Sequence, residues 1–459
     1  MVGGYISGPV KSRPTVIVGT SAVALILAAS RWGTNIGASP IYITDILIGL
    51  GIAGWFIATR MQGKRALDGW VTRNRPSALF ALFFVYVSAR FLLSLGGGPM
   101  LDWVRDGVPF LYGVLAFVSA SSLARSTHEA RARTMRIFWA ALIFHTLWAC
   151  VIIFGGIQET PSVPFSTAPL FQLRPDIDAA LLGVTAGMCL LRILRGHKKF
   201  WPFIGMVASA AAVLTLETRA GLIALALSVA LAILLQYAAT PRQNVRRTVM
   251  VMVIPALALI ALMILPTTPP GERLVATFKS SQGSTSAAES AQGTQRAREL
   301  VWSGVIDWTN EETSRTIFGG GFGNNFLDES GTLAYLEGST YSGVRSPHNW
   351  FVGNYARLGV IGFALSIAVC LQLLGTIVRY RRRIGEDPLL SLSALLIVAI
   401  LPVASFGVVL EAPHGAVPFW WAAGIIFALR ESKTKAAGLS QVDSSPAPAA
   451  AVGRGIPAL

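Results

Sequence analysis

Charge is scarce in this chain. Asp, Glu, Lys and Arg make up 13% of 459 residues, against 53% hydrophobic residues. Soluble domains carry about 25% charged residues. With a mean hydropathy of +0.57, an ordinary water-soluble globule is excluded, and length here counts membrane spans rather than soluble domains. Cysteine is nearly absent. Cys150, Cys189 and Cys370 all fall inside apolar runs, so neither a disulfide framework nor thiol chemistry is indicated and membrane packing explains them. No internal repeat is visible, whereas a transporter built from two related halves should show one in its hydropathy. The glycine-rich run Gly319 to Gly323 lacks the Lys-Ser/Thr ending of a nucleotide loop, so it reads as a turn.

What the chain has instead is about twelve apolar runs, near 14–31, 41–59, 76–95, 107–124, 136–156, 177–195, 200–217, 220–238, 248–265, 349–378, 389–410 and 415–430. A helix needs about 20 apolar residues to cross the hydrocarbon. The expected fold class is therefore all-α, a polytopic integral membrane protein with about 12 transmembrane helices. The net charge of +15 could suggest nucleic acid, but its distribution removes that reading. Basic residues gather in every second connection: Arg60, Lys64, Arg65, Arg73 and Arg75; Arg125, Arg131, Arg133 and Arg136; Arg192, Arg195, Lys198 and Lys199; Arg242, Arg246 and Arg247; Arg379, Arg381, Arg382 and Arg383. This is the positive-inside pattern, and it puts these loops and both termini in the cytoplasm. The surplus is topology, with the lipid bilayer as partner and no nucleic acid. Lys11, Arg13, the run Val16 to Leu27 and Ala28-Ala29-Ser30 resemble a signal peptide; because other spans follow at once, the segment reads as an uncleaved first span.

Four regions follow: a bundle of nine spans over 1–265, a long outward loop over 266–348, three spans over 349–430, and an Ala-, Pro-, Ser- and Gly-rich tail over 431–459 read as disordered. The loop lies between the ninth and tenth spans and is too long for a passive connection. Lys279 to Gln295 lacks large apolar residues and is expected to be mobile. From Gln295 to Trp308 the pattern predicts a short amphipathic helix, with Leu300, Val301, Trp302, Val305, Ile306 and Trp308 on its apolar side. Such a helix is expected to lie along the membrane surface with its tryptophans at the headgroups. The Gly319–Gly323 turn then returns the chain toward Ser346-Pro347-His348-Asn349-Trp350-Phe351, where the polar loop runs into a membrane helix.

His348 is the first candidate. Imidazole titrates near neutrality, so it can accept a proton from a sugar hydroxyl or donate a hydrogen bond to phosphate; a helix-boundary histidine that only satisfies backbone groups is the plain alternative. Arg219 and Arg298 can reach the same membrane face. Arginine is always protonated and pairs with phosphate oxygens in bidentate geometry. Two such groups suit the charge that builds on a departing diphosphate. Arg219 stands on the side where basic residues are scarce, which argues against a purely topological charge. Arg296 is the rival of Arg298 on the opposite helix face.

His348-Asn349 followed by Leu358-Gly359-Val360-Ile361-Gly362 resembles the His-Asn…Leu-Gly-Leu-Ile-Gly signature of the O-antigen ligase and polysaccharide polymerase superfamily. Three further blocks agree in the same order. Thr218-Arg219-Ala220-Gly221 resembles the family's Ser-Arg-Gly block, Arg298 to Trp302 its Arg-x-x-x-Trp block, and Gly319 to Phe326 its Gly-x-Gly-x-Gly-x-Phe. The resemblance spans about residues 160–375, the earlier spans agreeing mainly in hydropathy. It implies a C-type, metal-independent, inverting glycosyltransferase of the inner membrane working on the periplasmic face, with undecaprenyl-diphosphate-linked glycan as donor and no cofactor. It also implies that Arg219 and Arg298 hold the diphosphate and that His348 lies at the reaction centre. Arg174 matches a family arginine, but the chain continues Pro175-Asp176-Ile177-Asp178 where the family has Asn-Pro-Asn. Asp176 and Asp178 invite a metal-binding reading; helix capping is the commoner use, and no metal is assigned. Arg90, inside the third span, either joins the diphosphate site or pairs with a residue such as Glu217. Arg345 and Asn349 complete the expected substrate contacts, with Arg357, Glu411 and His414 of second rank. A ligase acting on a lipid A-core acceptor is preferred over a polymerase joining lipid-linked repeat units, and both over a transporter or flippase.

Overall fold

The computed structural model of the protein describes residues 17–38, 41–61, 75–157, 159–196, 199–240, 286–336 and 344–430. In chain order the helices are α1 (Thr20–Thr34), α2 (Ile43–Met61), α3 (Arg75–Leu93), α4 (Met100–Leu111), α5 (Val114–Arg125), α6 (His128–Gly155), α7 (Pro175–Leu194), α8 (Phe200–Thr215) and α9 (Arg219–Ala239). Beyond the undescribed stretch come α10 (Ser286–Asn310), α11 (Thr313–Phe318), α12 (Phe326–Glu329), α13 (Trp350–Arg379), α14 (Arg381–Glu386), α15 (Pro388–Ser405) and α16 (Pro413–Phe427). The only sheet among the described residues is one antiparallel pair, β1 (Gly37–Ala38) with β2 (Ile41–Tyr42).

Every expected apolar run within the described residues falls on a helix; the ninth, 248–265, lies outside them. Among the described residues six helical stretches are long and apolar enough to cross a membrane: Met100–Ala124, His128–Gly155, Pro175–Leu194, Arg219–Ala239, Trp350–Arg379 and Pro388–Ser405. Ile43–Ile57, Ala78–Leu93 and Phe200–Thr215 are shorter apolar helices. Some apolar runs extend past their helices into 3₁₀ turns, such as Val409–Glu411 and Ala428–Arg430. The run at 107–124 belongs to two helices that meet at Tyr112–Gly113, above Pro109.

Nearly every residue of α7, α15 and α16 is buried, so these helices form the middle of the bundle. Lipid is as apolar as leucine, so close packing rather than hydrophobic transfer holds such helices together. Gly187 on α7 illustrates this: a Cβ there would stand 3.1 Å from Ser228 O on α9 and 3.0 Å from Leu395 Cδ2 on α15. On the outer faces large apolar side chains point away from protein, as Leu50 (67% exposed), Leu147 (61%) and Leu371 (63%) do. A chain apolar both inside and out is built for lipid. The basic helix ends meet at one end of the bundle. Arg195 donates to Gly385 O, Arg131 lies 3.8 Å from Asp387, and Arg383 donates to Leu429 O.

Two expectations for the loop need correction. Helix α10 begins at Ser286, so 286–295, expected to be mobile, is helical. A formed helix adds turns cheaply once nucleated, and Ala-Ala-Glu-Ser-Ala-Gln is good helix material. The tryptophans are also engaged with protein. Trp308 is buried with Val301, Val305, Phe326, Leu327 and Ala356, and Trp302 Nε1 donates to Pro347 O at 2.7 Å. Leu300 and Ile306, assigned to the apolar side, are the exposed ones.

Helix α13 runs 30 residues but breaks at Gly359, where φ is 65° and ψ −169°. At about 1.5 Å per residue the whole helix exceeds the ~30 Å hydrocarbon; the part after Gly359 suffices to cross it. The break frees carbonyls of Ala356 and Arg357, and the glycine turn fills them: Gly320 N donates to Ala356 O (2.8 Å) and Gly321 N to Arg357 O (3.0 Å). A Cβ at Gly359 would lie 2.4 Å from the Ile317 backbone, and one at Gly319 (φ 78°) 2.2 Å from Arg357 C. Gly359→Ala combines that clash with about 1–3 kcal/mol of strain in a positive-φ region open essentially to glycine alone, and is expected to undock the turn. Limited proteolysis should cut around 311–323 much faster in the variant; unchanged cleavage would refute the docking role.

Candidate functional site

The site lies at the bundle end opposite the basic one, where α7, α9 and α13 begin. Two contacts gather the helix starts. Thr218, the residue before α9, donates from Oγ1 to Pro175 O at 3.3 Å, tying the start of α9, where Arg219 is the first residue, to the start of α7. Trp302 on α10 holds the Pro347 carbonyl. Arg298 stands one turn earlier on the same helix face, so the Trp302 contact turns it toward His348.

His348 is half-buried with φ 54°, a conformation bulky residues rarely adopt and one that marks positions held by their surroundings. Its backbone N–H donates to Ser346 Oγ at 3.3 Å. Burial first, then the positive charges of Arg298 and Arg174, push the imidazole down to about 4, against the pull of Ser346 and Asp176. Near neutrality the ring is therefore uncharged and can accept a proton. The same charges place Arg298, Arg174 and Asp176 around His348. Arg298 is half-buried whereas Arg296 is exposed, and Arg296 is not among the charges that act on the ring.

Arg174 is anchored from below. Its Nε lies 2.9 Å from both oxygens of Asp176, and its backbone N–H donates to Asp178 Oδ2. The other oxygen of Asp178 bonds His145 Nε2 at 3.0 Å, both side chains being wholly buried. The two aspartates thus serve as capping and pairing groups for Arg174. Among the described residues no group of three or more His, Cys, Asp or Glu side chains is placed to hold a metal ion.

Three other expected contacts have structural partners. Asn349 caps α13, its Oδ1 accepting from Phe351 N (3.0 Å) and Val352 N (3.2 Å). Arg90 donates to Gly319 O at 2.8 Å and so ties the glycine turn to α3. Arg345 lies 3.1 Å from Asp106 and 3.3 Å from Asp102, and donates to Gly323 O. Asp106 also takes Arg357 Nη1 at 2.7 Å and Gly323 N at 3.1 Å. Asp106 and His145 were missed in the sequence, although ionisable residues at or inside apolar runs were a readable signal.

A helical membrane protein whose helix starts and long connection bring a histidine under the influence of two arginine charges at one bundle end is the class that this architecture defines. Residues 204–367 match the family model described as O-antigen ligase, and through that domain the chain matches the O-antigen ligase and polymerase superfamily. Members of that family are glycosyltransferase-like enzymes of the membrane. The matched domain holds Arg219, Arg298 and His348 and is narrower than the resemblance read from the sequence; Arg174, Asp106 and Glu411 lie outside it. No curated protein matches the chain.

Proposed function

We propose that the protein moves a glycan from undecaprenyl diphosphate to an acceptor hydroxyl at the periplasmic face of a bacterial inner membrane, with lipid A-core as the acceptor. The observation that carries this reading is the half-buried His348, held at a left-handed backbone angle with Arg298 and Arg174 acting on its ring, where His348 and Arg298 both fall in the stretch that matches the O-antigen ligase model. The basic bundle end supports the orientation, since it belongs in the cytoplasm by the positive-inside rule. In a single displacement the acceptor oxygen attacks the anomeric carbon from the face opposite the diphosphate. The carbon–oxygen bond to the diphosphate breaks, its electron pair stays on the leaving group, and configuration inverts. His348 takes the hydroxyl proton, while Arg219, Arg298 and Arg174 receive the charge on the departing diphosphate. No metal is required for that neutralisation.

The test is transfer in vitro from purified lipid-linked glycan. Arg219→Ala is expected to lower turnover by about 10²–10³-fold, the loss typical of one fixed charge-stabilising donor, and chelator to leave it unchanged. A folded Arg219→Ala variant with normal rates would discard the reading, as would translocation without transfer. Cells lacking the protein separate ligase from polymerase: a ligase defect removes all core-attached chains, whereas a polymerase defect keeps single units and removes long chains.

A further inference from the structure

Beyond the matched domain, the 3₁₀ turn Val409–Glu411 between α15 and α16 brings one carboxylate to the base of the His348 loop. Ser346 donates its hydroxyl to Glu411 Oε1 at 2.8 Å. The Ser346 oxygen, its proton so committed, accepts the His348 backbone N–H at 3.3 Å. The two bonds form a directed chain from the last loop of the protein to the residue with the left-handed backbone. Room for the carboxylate comes from Gly353 on α13, where a Cβ would stand 3.1 Å from Oε1 and 3.8 Å from Pro347 Cδ. The charged groups that act on Glu411 are Arg357 on α13 and Asp106 on α4. Burial outweighs the attraction of Arg357 and the Ser346 bond, pushing the carboxyl up to about 7. A carboxylate with a full hydrogen-bonded ion partner would sit lower. Its hydrogen bond goes to the serine that orients His348.

We propose that Glu411 is a positioning residue for the transfer reaction, acting through Ser346 to hold His348 in the conformation that aims its imidazole at the acceptor. This rests on the reading of His348 as the reaction-centre base and deepens it. Glu411 touches neither substrate nor reacting atoms. Misplacing a reacting group by about 1 Å costs on the order of 10²-fold, and the left-handed backbone at His348 relaxes when its anchor is lost.

The experiment compares steady-state transfer by Glu411→Leu, Glu411→Gln, Ser346→Ala and the double variant Glu411→Leu/Ser346→Ala, with His348→Ala as control. Glu411→Leu and Ser346→Ala should each lower kcat by roughly 10–100-fold and leave the KM for the lipid-linked donor within about twofold. Glu411→Gln should keep most of the activity, because its amide oxygen accepts the same hydroxyl. The double variant should be no worse than the poorer single one, since both break one chain. Wild-type kcat in Glu411→Leu and Ser346→Ala would overturn the proposal, as would losses that appear only in KM or a Gln variant as damaged as Leu. Should Glu411→Leu fail to fold, Ser346→Ala alone decides by the same criteria. If His348→Ala itself retains normal turnover, the reading of His348 as base fails; if it is inactive while the other variants are normal, only the Glu411 chain is wrong.

Discussion

His348→Ala is expected to lower transfer by about 10²–10⁴-fold, the range for loss of a positioned general base, without abolishing donor binding. The pH profile makes the expectation sharper. With its imidazole held at about 4 by burial, Arg298 and Arg174, the wild-type ring is in the accepting form throughout the neutral range. Activity should therefore be flat above that value and fall only as pH drops through it. Arg298→Ala removes one of the positive charges that disfavour protonation, so the acid limb of its residual activity should move up toward the ordinary histidine range. A bound diphosphate acts in the same direction, because its negative charge offsets the arginines. The acid limb of kcat, which reports the loaded enzyme, should lie above that of kcat/KM, which reports the free one. Identical acid limbs in wild type and Arg298→Ala, measured by transfer rate from pH 4 to 8, would dissociate the arginine from the histidine. On the proposed reading His348 becomes a stronger base once the donor is seated, which would couple proton removal to the presence of a leaving group.

The features legible in the sequence were those written in one dimension. Apolar length found the helices, and the spacing of Arg131, Arg195 and Arg383 found the bundle end at which they meet. Arg298 was preferred to Arg296 on the Arg-x-x-x-Trp resemblance, and the indole of Trp302 in that block holds the Pro347 carbonyl. What stayed hidden depends on partners far apart in the chain. Nothing local marks Gly359 as a break, since its backbone is set by the docking of Ile317 and Gly319 from about 40 residues earlier. Asn349, quoted as part of a motif, is also a helix cap; the local pattern for capping and for substrate contact is the same. Asp102 and Asp106 are spaced one helical turn apart at the start of a span, yet their partner Arg345 lies more than two hundred residues on.

That long-range partner is why Asp106→Ala is expected to be the most damaging single change to stability. Asp106 is nearly inaccessible, as is Arg357, which it contacts at 2.7 Å, while Arg345 is also largely covered. Removing the carboxylate leaves Arg345 with Asp102 but deprives Arg357 of its hydrogen-bonded ion partner, leaving the Arg345 carbonyl at 3.4 Å, the face of Phe326 and the weaker pull of Glu411. Deleting one partner of a buried ion pair costs about 3–5 kcal/mol, because the other charge remains desolvated. Gly323 N loses its acceptor too, and the glycine turn loses one of its ties to α4. The measurement is the folded fraction in detergent as a function of temperature, by a probe of tertiary structure. The double variant Asp106→Leu/Arg357→Leu, which removes both charges, should recover most of the loss; the coupling between the two sites is the pair's own contribution. An Asp106→Ala protein as stable as wild type would mean that Arg357 finds another partner or water. The site should feel the change before the fold does. Arg345 immediately precedes Ser346, so freeing it from Asp106 loosens the segment that carries His348, and transfer should fall at temperatures where the bundle is still intact.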